Sequence, residues 1–309
     1  MIFSKSVKAR QFHKLLQLSI KYAFSIPTVK QILLHKILSC KHDYAIREVN
    51  GFKMILNLKD EGISKDLFIY GIREPFTTNY LLTNKIIQKG GVIFDVGANI
   101  GYYVLIESRL TGKCGRVFAF EPVPENYSIL IANLYLNQAK NVFALPFAIG
   151  ENYGYKPIYI TEKMNLSTLN PQGIQAPIKH TCPVITYPLD FFTKNITPPN
   201  LIRMDVEGYE YEIFKGMEKT LTYKPKILIE IHGNILTNQQ LNHIFKTLEN
   251  HNYKVEFAVR DGYCTTKTAK ILNPNLNTIK IKTTNLKKLK LYIQKTKKPI
   301  QTLLTPKEK

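Results

Sequence analysis

Several features that would settle the class of this 309-residue chain at once are missing. No stretch approaches the roughly 18 uninterrupted apolar residues that a membrane-spanning helix needs. The four cysteines, Cys40, Cys114, Cys182 and Cys264, stand far apart, with no CxxC and no Cys/His pairing. That argues against a disulfide framework or a structural zinc site and makes a reducing compartment, the cytoplasm, the expectation. A cleaved leader is disfavoured because Lys21 interrupts the only apolar run near the start and no small-x-small site follows. There are no repeats of 20–50 residues. Disorder on a large scale is excluded by a composition that is 44% apolar and 11% aromatic.

Acidic residues are also scarce where basic ones are dense. Residues 1–41 carry eight Lys/Arg and no acid, and residues 270–309 carry eleven Lys with Glu308 alone. The body between them is nearly neutral, so most of the formal +20 sits in two arms. Such arms suit an anionic surface, a membrane or a nucleic acid, or simply keep the protein soluble. Near the start, apolar residues fall at helical spacing twice. One set is Phe12, Leu15, Leu16 and Ile20; the other is Val29, Ile32, Leu33, Ile37 and Cys40, with Lys30, His35 and Lys36 off the stripe. Pro27 separates the two candidate helices, which either pack on the body or lie on a membrane surface.

After a hairpin predicted around Asn50-Gly51, strands and helices alternate. Strands are expected at Val92–Val96, Arg116–Phe120, Val142–Ile149, Leu201–Met204 and Ile227–Ile231. Closing strands are expected at Tyr253–Val259 and Asn277–Ile281, and an irregular, specificity-bearing insert at about 151–200. Unbroken apolar strands between helices indicate an α/β fold with a doubly wound, mostly parallel sheet. The expected divisions are a basic helical extension (1–43), a hairpin and lead-in (44–90), the main domain (91–282) and a basic tail (283–309).

Three strands end in an acid at the edge where such sheets bind ligands: Asp95, Glu121 and Asp205. The turn Asp95-Val-Gly97-Ala98-Asn99-Ile-Gly101 follows a strand and opens a helix. A dinucleotide fingerprint starting at Gly97 would need glycine at positions that hold Asn99 and Tyr102, and no GxxxxGK[ST] cradle exists. A ligand with a carboxylate, an ammonium and a ribose fits better. The helix N-terminus at Gly101 can take the carboxylate, Asp95 can offset the ammonium, and Glu121, 20 residues beyond Gly101, can accept from ribose hydroxyls. Together these describe S-adenosylmethionine (SAM).

The segments DVGANIGYY, FEPVPEN, RMDVEGYEYEIFKGME and IEIHG, in that order and preceded by EGISKDLFIYGIREPFTT, resemble the FkbM-type SAM-dependent methyltransferases. The resemblance covers about residues 50–235. It implies a seven-stranded Rossmann-like methyltransferase fold and methyl transfer to a hydroxyl of a sugar, glycan, lipid-linked or other natural-product acceptor. It carries cofactor contacts onto Asp95, Gly97, Ala98, Asn99, Gly101 and Glu121.

A hydroxyl needs a base to remove its proton. Asp205 is expected to touch cofactor or acceptor, with Glu207 or His232 as the base, while Glu207 and Glu210 could equally cap the following helix. Asp205 and Glu207 could supply two oxygens of a Mg²⁺ site, but no third ligand is evident and no metal is expected. Arg73-Glu74 either closes over the cofactor or forms a structural pair. A nucleic-acid methyltransferase using the basic arms is a rival reading, weakened by the lack of an RRM, KH, zinc-finger or NPPY-type segment. A non-catalytic SAM-binding scaffold is another.

Overall fold

The computed structural model describes residues 27–260, 279–281 and 283–307. The chain begins there with helix Pro27–Ser39, followed by a two-stranded hairpin, β1 (Tyr44–Val49) and β2 (Phe52–Asn57). Its turn has Asn50 at φ 50 and Gly51 at φ 73, the left-handed pair that a two-residue hairpin loop demands. Helices Ile63–Tyr70 and Pro75–Thr83 lead into β3 (Val92–Val96). Then come helix Tyr102–Thr111, β4 (Arg116–Phe120), helix Pro124–Leu136 and β5 (Val142–Leu145). A side unit follows, built from β6 (Ala148–Ile149), β7 (Gly154–Thr161) and β8 (Ile178–Tyr187). The chain returns through helix Leu189–Asn195 to β9 (Leu201–Met204), helices Glu210–Lys215 and Glu218–Thr222, β10 (Lys226–His232), helix Asn238–Asn250 and β11 (Tyr253–Arg260). The last described elements are β12 (Ile279–Lys280), helix Leu286–Thr296 and β13 (Pro299–Pro306).

The main sheet runs β12-β11-β13-β10-β9-β3-β4-β5. The five strands from β10 to β5 are parallel, and β13 lies antiparallel between β10 and β11. This is the expected seven-stranded, mostly parallel sheet with a two-residue eighth strand at its edge. From β3 the chain winds outward through β4 to β5, then crosses back to β9 on the other side of β3. A crevice therefore opens beyond the carboxyl ends of β3 and β9.

Strand parity decides what faces that crevice. On β3, Val92, Phe94 and Val96 join one core layer and Ile93 the other; on β9, Ile202 and Met204 join the first and Leu201 the second. Asp95 and Arg203 are register partners on the second face, where helix Tyr102–Thr111 packs.

Four expectations change. The stretch 142–149 is two strands in different sheets, because Pro146 interrupts it. The insert is a β-hairpin with short turns, not irregular coil. Residues 283–309 are not simply a tail. Leu286, Leu289 and Ile293 bury one face of a helix capped by the Asn285 side chain, and Ile300–Leu304 complete the sheet interior. Lysines occupy the outward positions, which made the segment look like a charged arm. Finally, the first described helix buries His35 against Phe68 (ring centroids 5.3 Å apart), while Ile37 is 61% exposed. The Ile32, His35, Leu38 face is the one that packs. The candidate helix over 12–20 lies outside the described residues. Among those residues, no helix is long and apolar enough to cross a membrane.

Candidate active site

Two adjoining cavities fill the crevice. One, of about 520 Å³, is lined by Gly97, Asn99, Glu121, Phe147, Glu207 and Tyr209 among others. The second, of about 400 Å³, is lined by Arg73, Ala98, Tyr102, Tyr103 and Arg203. Gly97, Asn99, Asn165 and Asp205 belong to both.

The glycine turn is built for close approach. Gly97 has φ +84, and a Cβ there would stand 1.9 Å from the Asp205 carbonyl oxygen. Gly101, at φ +89, caps helix Tyr102–Thr111, and its Cβ would meet Leu130 Cδ1 at 2.6 Å. Glycine is required at both. The Gly97 and Ala98 amides donate to the Phe120 carbonyl, tying the turn to β4. Glu121 is buried; its Oε2 accepts from Asn99 N at 2.7 Å and its Oε1 from Val123 N at 2.9 Å. Burial pushes it up to about 7 against the pull of those two amides.

Asp95 departs from its expected role. It is fully enclosed, with Arg203 Nη1 donating to its Oδ1 at 2.9 Å, so it does not line the cavities. The cause is the strand parity described above, which turns Asp95 toward Glu107. Burial, then the Asp95 charge, push the Glu107 carboxyl well above its ordinary value. Arg203 Nη2 donates to Asp205 Oδ2 at 3.1 Å, and its guanidinium carbon lies 4.1 Å from the Tyr103 ring centroid. Arg203, a key member of the crevice, was missed. The readable signal was an arginine inside the apolar strand LIRM, where a charge must be paired.

The loop after β9 brings the proposed catalytic groups together. His232 at the end of β10 is buried between two carboxylates, with Nε2 3.1 Å from Glu207 Oε2 and Nδ1 2.6 Å from Glu210 Oε1. Burial alone would lower its pKa, but Glu207 and then Glu210 outweigh it and raise it well above the usual value. Both ring nitrogens are engaged by carboxylates, so neither is available to take a proton from an acceptor. Glu207 itself is raised by burial, with His232 opposing. Glu210 accepts from Gly208 N rather than capping the helix after it. Asp205 Oδ1 has no hydrogen-bond partner.

The insert straps this loop down: Thr168 Oγ1 donates to the Glu207 carbonyl at 2.9 Å and Asn170 Nδ2 to that of Gly208 at 2.9 Å. Asp60 ties the lead-in to the insert by accepting from Gly62, Ser64 and Met164 amides. Arg73 pairs with Glu74, which also accepts from the Tyr103 hydroxyl at 2.7 Å. Glu74, Asn99 and Glu207 all hold left-handed backbone, at φ 45, 50 and 50. Such strain gathers at functional sites.

Side-chain ligand atoms of Asp205, Glu207 and His232 lie within 4.8 Å of one another, supplying the third group that no motif had shown. The crevice does fit an amino-acid-bearing nucleoside. Its glycine turn admits close backbone contact, Glu121 presents two oxygens, and Asp205 keeps one oxygen free of protein partners.

The profile of the methyltransferase FkbM domain matches residues 95–255, more than half of the chain. The hexuronic acid methyltransferase AglP of Haloferax volcanii is 26% identical over 148 residues, 48% of this chain and 59% of that protein. The methyltransferase sdnD of Sordaria araneosa is 28% identical, covering 49% of this chain and 69% of the relative. The chain therefore spans under two thirds of AglP. Among solved structures, a SAM-dependent O-methyltransferase from Thermotoga maritima superposes with TM-score 0.42 at 12% identity, covering 86% and 78% of the two chains. TYW2 of M. jannaschii in complex with AdoMet gives 0.40 at 14%, covering 86% and 88%. On the extent of the profile match, the chain belongs to the FkbM family of SAM-dependent methyltransferases.

Proposed function

We propose that this protein moves a methyl group from SAM to a hydroxyl oxygen of a sugar, glycan or other natural-product acceptor. The observation that carries this reading is Glu207, which lines the crevice beside Asp205 and is backed by the buried His232 and Glu210. When bound, SAM supplies a methyl on a positively charged sulfur. Glu121 and the Gly97–Gly101 turn would hold its nucleoside and amino-acid ends. The protein must also place the acceptor oxygen about 3 Å from that methyl and in line with the sulfur. Glu207, which lines the crevice, takes the hydroxyl proton, and burial raises its pKa above the ordinary carboxylate value, making it a stronger base. His232, pinned from behind by Glu210, orients the Glu207 carboxylate and balances its charge. The relatives named for methyl transfer, one of them to hexuronic acid, are consistent with this acceptor class.

Incubation with methyl-labelled SAM and fractionated extract tests the reading. Label should enter a glycan or small-molecule fraction. Label in nucleic acid would favour the rival methyltransferase, and no label in any fraction the scaffold.

We further propose that the protein works in the cytoplasm at an anionic membrane surface. Helix Leu286–Thr296 supports this: Lys287, Lys288 and Lys295 are exposed around Leu291, itself 62% exposed. Vesicles containing phosphatidylserine should sediment the protein at low salt, and much less at 0.5 M salt or with phosphatidylcholine alone. Equal recovery with both lipids would dismiss the idea.

A further inference from the structure

We infer that β1 is a self-pairing edge: two copies of this chain join there through an antiparallel β1–β1 contact that makes one four-stranded sheet of the two hairpins. The inference is independent of the methyl-transfer reading and starts from the hairpin backbone. Leu58 N donates to the Asp43 carbonyl at 2.7 Å, and along an antiparallel pair such bonded positions alternate with unbonded ones. Positions 43, 45, 47 and 49 therefore face β2, while Tyr44, Ile46 and Glu48 turn N–H and C=O to the outer edge. On β2 the same alternation turns Lys53 and Ile55 outward, and that edge is sealed. Asn133 Oδ1 accepts from Ile55 N at 2.6 Å, and its Nδ2 donates to the Ile55 carbonyl at 3.4 Å. Asn137 Oδ1 accepts from Lys53 N at 3.0 Å, and its Nδ2 donates to the Lys53 carbonyl at 2.7 Å. Nothing equivalent meets β1. Among the described residues, the outward backbone groups of Tyr44, Ile46 and Glu48 have no partner.

An unpaired edge is a template for another strand, and proteins usually blunt it with lysine, proline or a bulge. β1 contains neither lysine nor proline, and its register with β2 is unbroken. Arg47 is occupied on the other face, donating to Gln31 Oε1 at 2.6 Å and lying 5.0 Å from the Phe68 ring centroid. The outward face instead exposes Ile46 (63%) and Tyr44 (49%) over an apolar groove that Ile55, Ile129 and Ala132 complete. The residues themselves specify the partner. Setting Ile46 opposite the partner's Ile46 about a two-fold axis lets all three outward residues pair, with two bonds to each opposed pair. Tyr44 then stands opposite the partner's Glu48, where a phenol can donate to a carboxylate, and Ala45 stands opposite the partner's Arg47. Centring the contact on Arg47 would oppose two guanidinium groups, and centring it on Ala45 would carry Glu48 past the end of the other strand. One register is favoured, and it is symmetric.

Sedimentation of the full chain tests this. Wild-type protein at tens of micromolar should run at twice its chain mass, and the amides of Tyr44, Ile46 and Glu48 should gain hydrogen-exchange protection as concentration rises. Ile46→Lys puts a charge at the centre of the contact. Ile46→Pro removes a donor that points away from β2, so the hairpin keeps its own bonds. Both variants should sediment at the mass of one chain with unchanged circular dichroism. The dissociation constant should rise about tenfold or more, since the proline alone removes two bonds by symmetry. The exchange measurement needs no variant, so it decides the matter even if one fails to fold. A wild-type monomer at that concentration overturns the proposal; if deleting residues 1–26 then produced a dimer, that segment would be what covers the edge. A dimer that survives both substitutions, or one whose outward amides exchange freely, would place the contact on another face and overturn it equally.

Discussion

Glu207→Gln is expected to lower methyl transfer about 10²–10⁴-fold, the usual loss when a general base is removed, while SAM affinity stays within about twofold. The amide keeps the shape and can still accept from His232 Nε2, so the loop should hold its conformation. What disappears is the capacity to take a proton. The neighbouring His232 ring cannot substitute, because residues 207 and 210 already engage both its nitrogens. Single-turnover assays with the acceptor fraction identified by labelling, alongside calorimetry with SAM, separate the two effects. Wild-type turnover in this variant would reduce Glu207 to a loop residue and return the base to another group.

His232→Ala is expected to destabilise the protein by about 3–5 kcal/mol, since it leaves two buried carboxylates facing each other without a cation. In a chain of this size that corresponds to a melting temperature lower by about 10 °C. The sign of the pH dependence follows from the raised pKa. An imidazolium favoured in the folded state contributes fully below the unfolded value of about 6.5. That contribution is lost as pH rises through the higher folded value. Thermal unfolding of the wild type between pH 6 and 9 should therefore show a steady decline. Replacing the whole clamp with Glu207→Gln, Glu210→Gln and His232→Gln should recover much of the stability and flatten the decline, because no buried charge remains. An unchanged melting temperature in His232→Ala would contradict the clamp.

Parts of this architecture were legible in the residues, for identifiable reasons. β3, β4 and β9 fall where their apolar runs stop at Gly97, Glu121 and Asp205, since a strand buried on both faces reads as a near-continuous apolar run, broken here only by Asp95 in β3 and Arg203 in β9. β13 left no such signal. It begins at a proline, carries Gln301, Thr302 and Thr305, and follows a lysine-rich helix, yet pairs on both sides. Its partners, not its composition, make it a strand. The crevice acids were legible as a set, but their directions were not. Asp95 and Asp205 both end strands, and only the register between β3 and β9 reveals that Arg203 separates them. The raised pKa of His232 likewise depends on two carboxylates, one 22 positions away.

The position of β13 also bears on how the molecule is made. Its neighbours β10 and β11 are complete by residue 260, but the strand that joins them comes from residues 299–306. During synthesis the methyl-donor half can collapse early, while two open strand edges wait for that last piece to leave the ribosome. Until it docks, those edges are free to pair with other nascent chains, so production of intact protein would be sensitive to translation speed, chaperone supply and early termination.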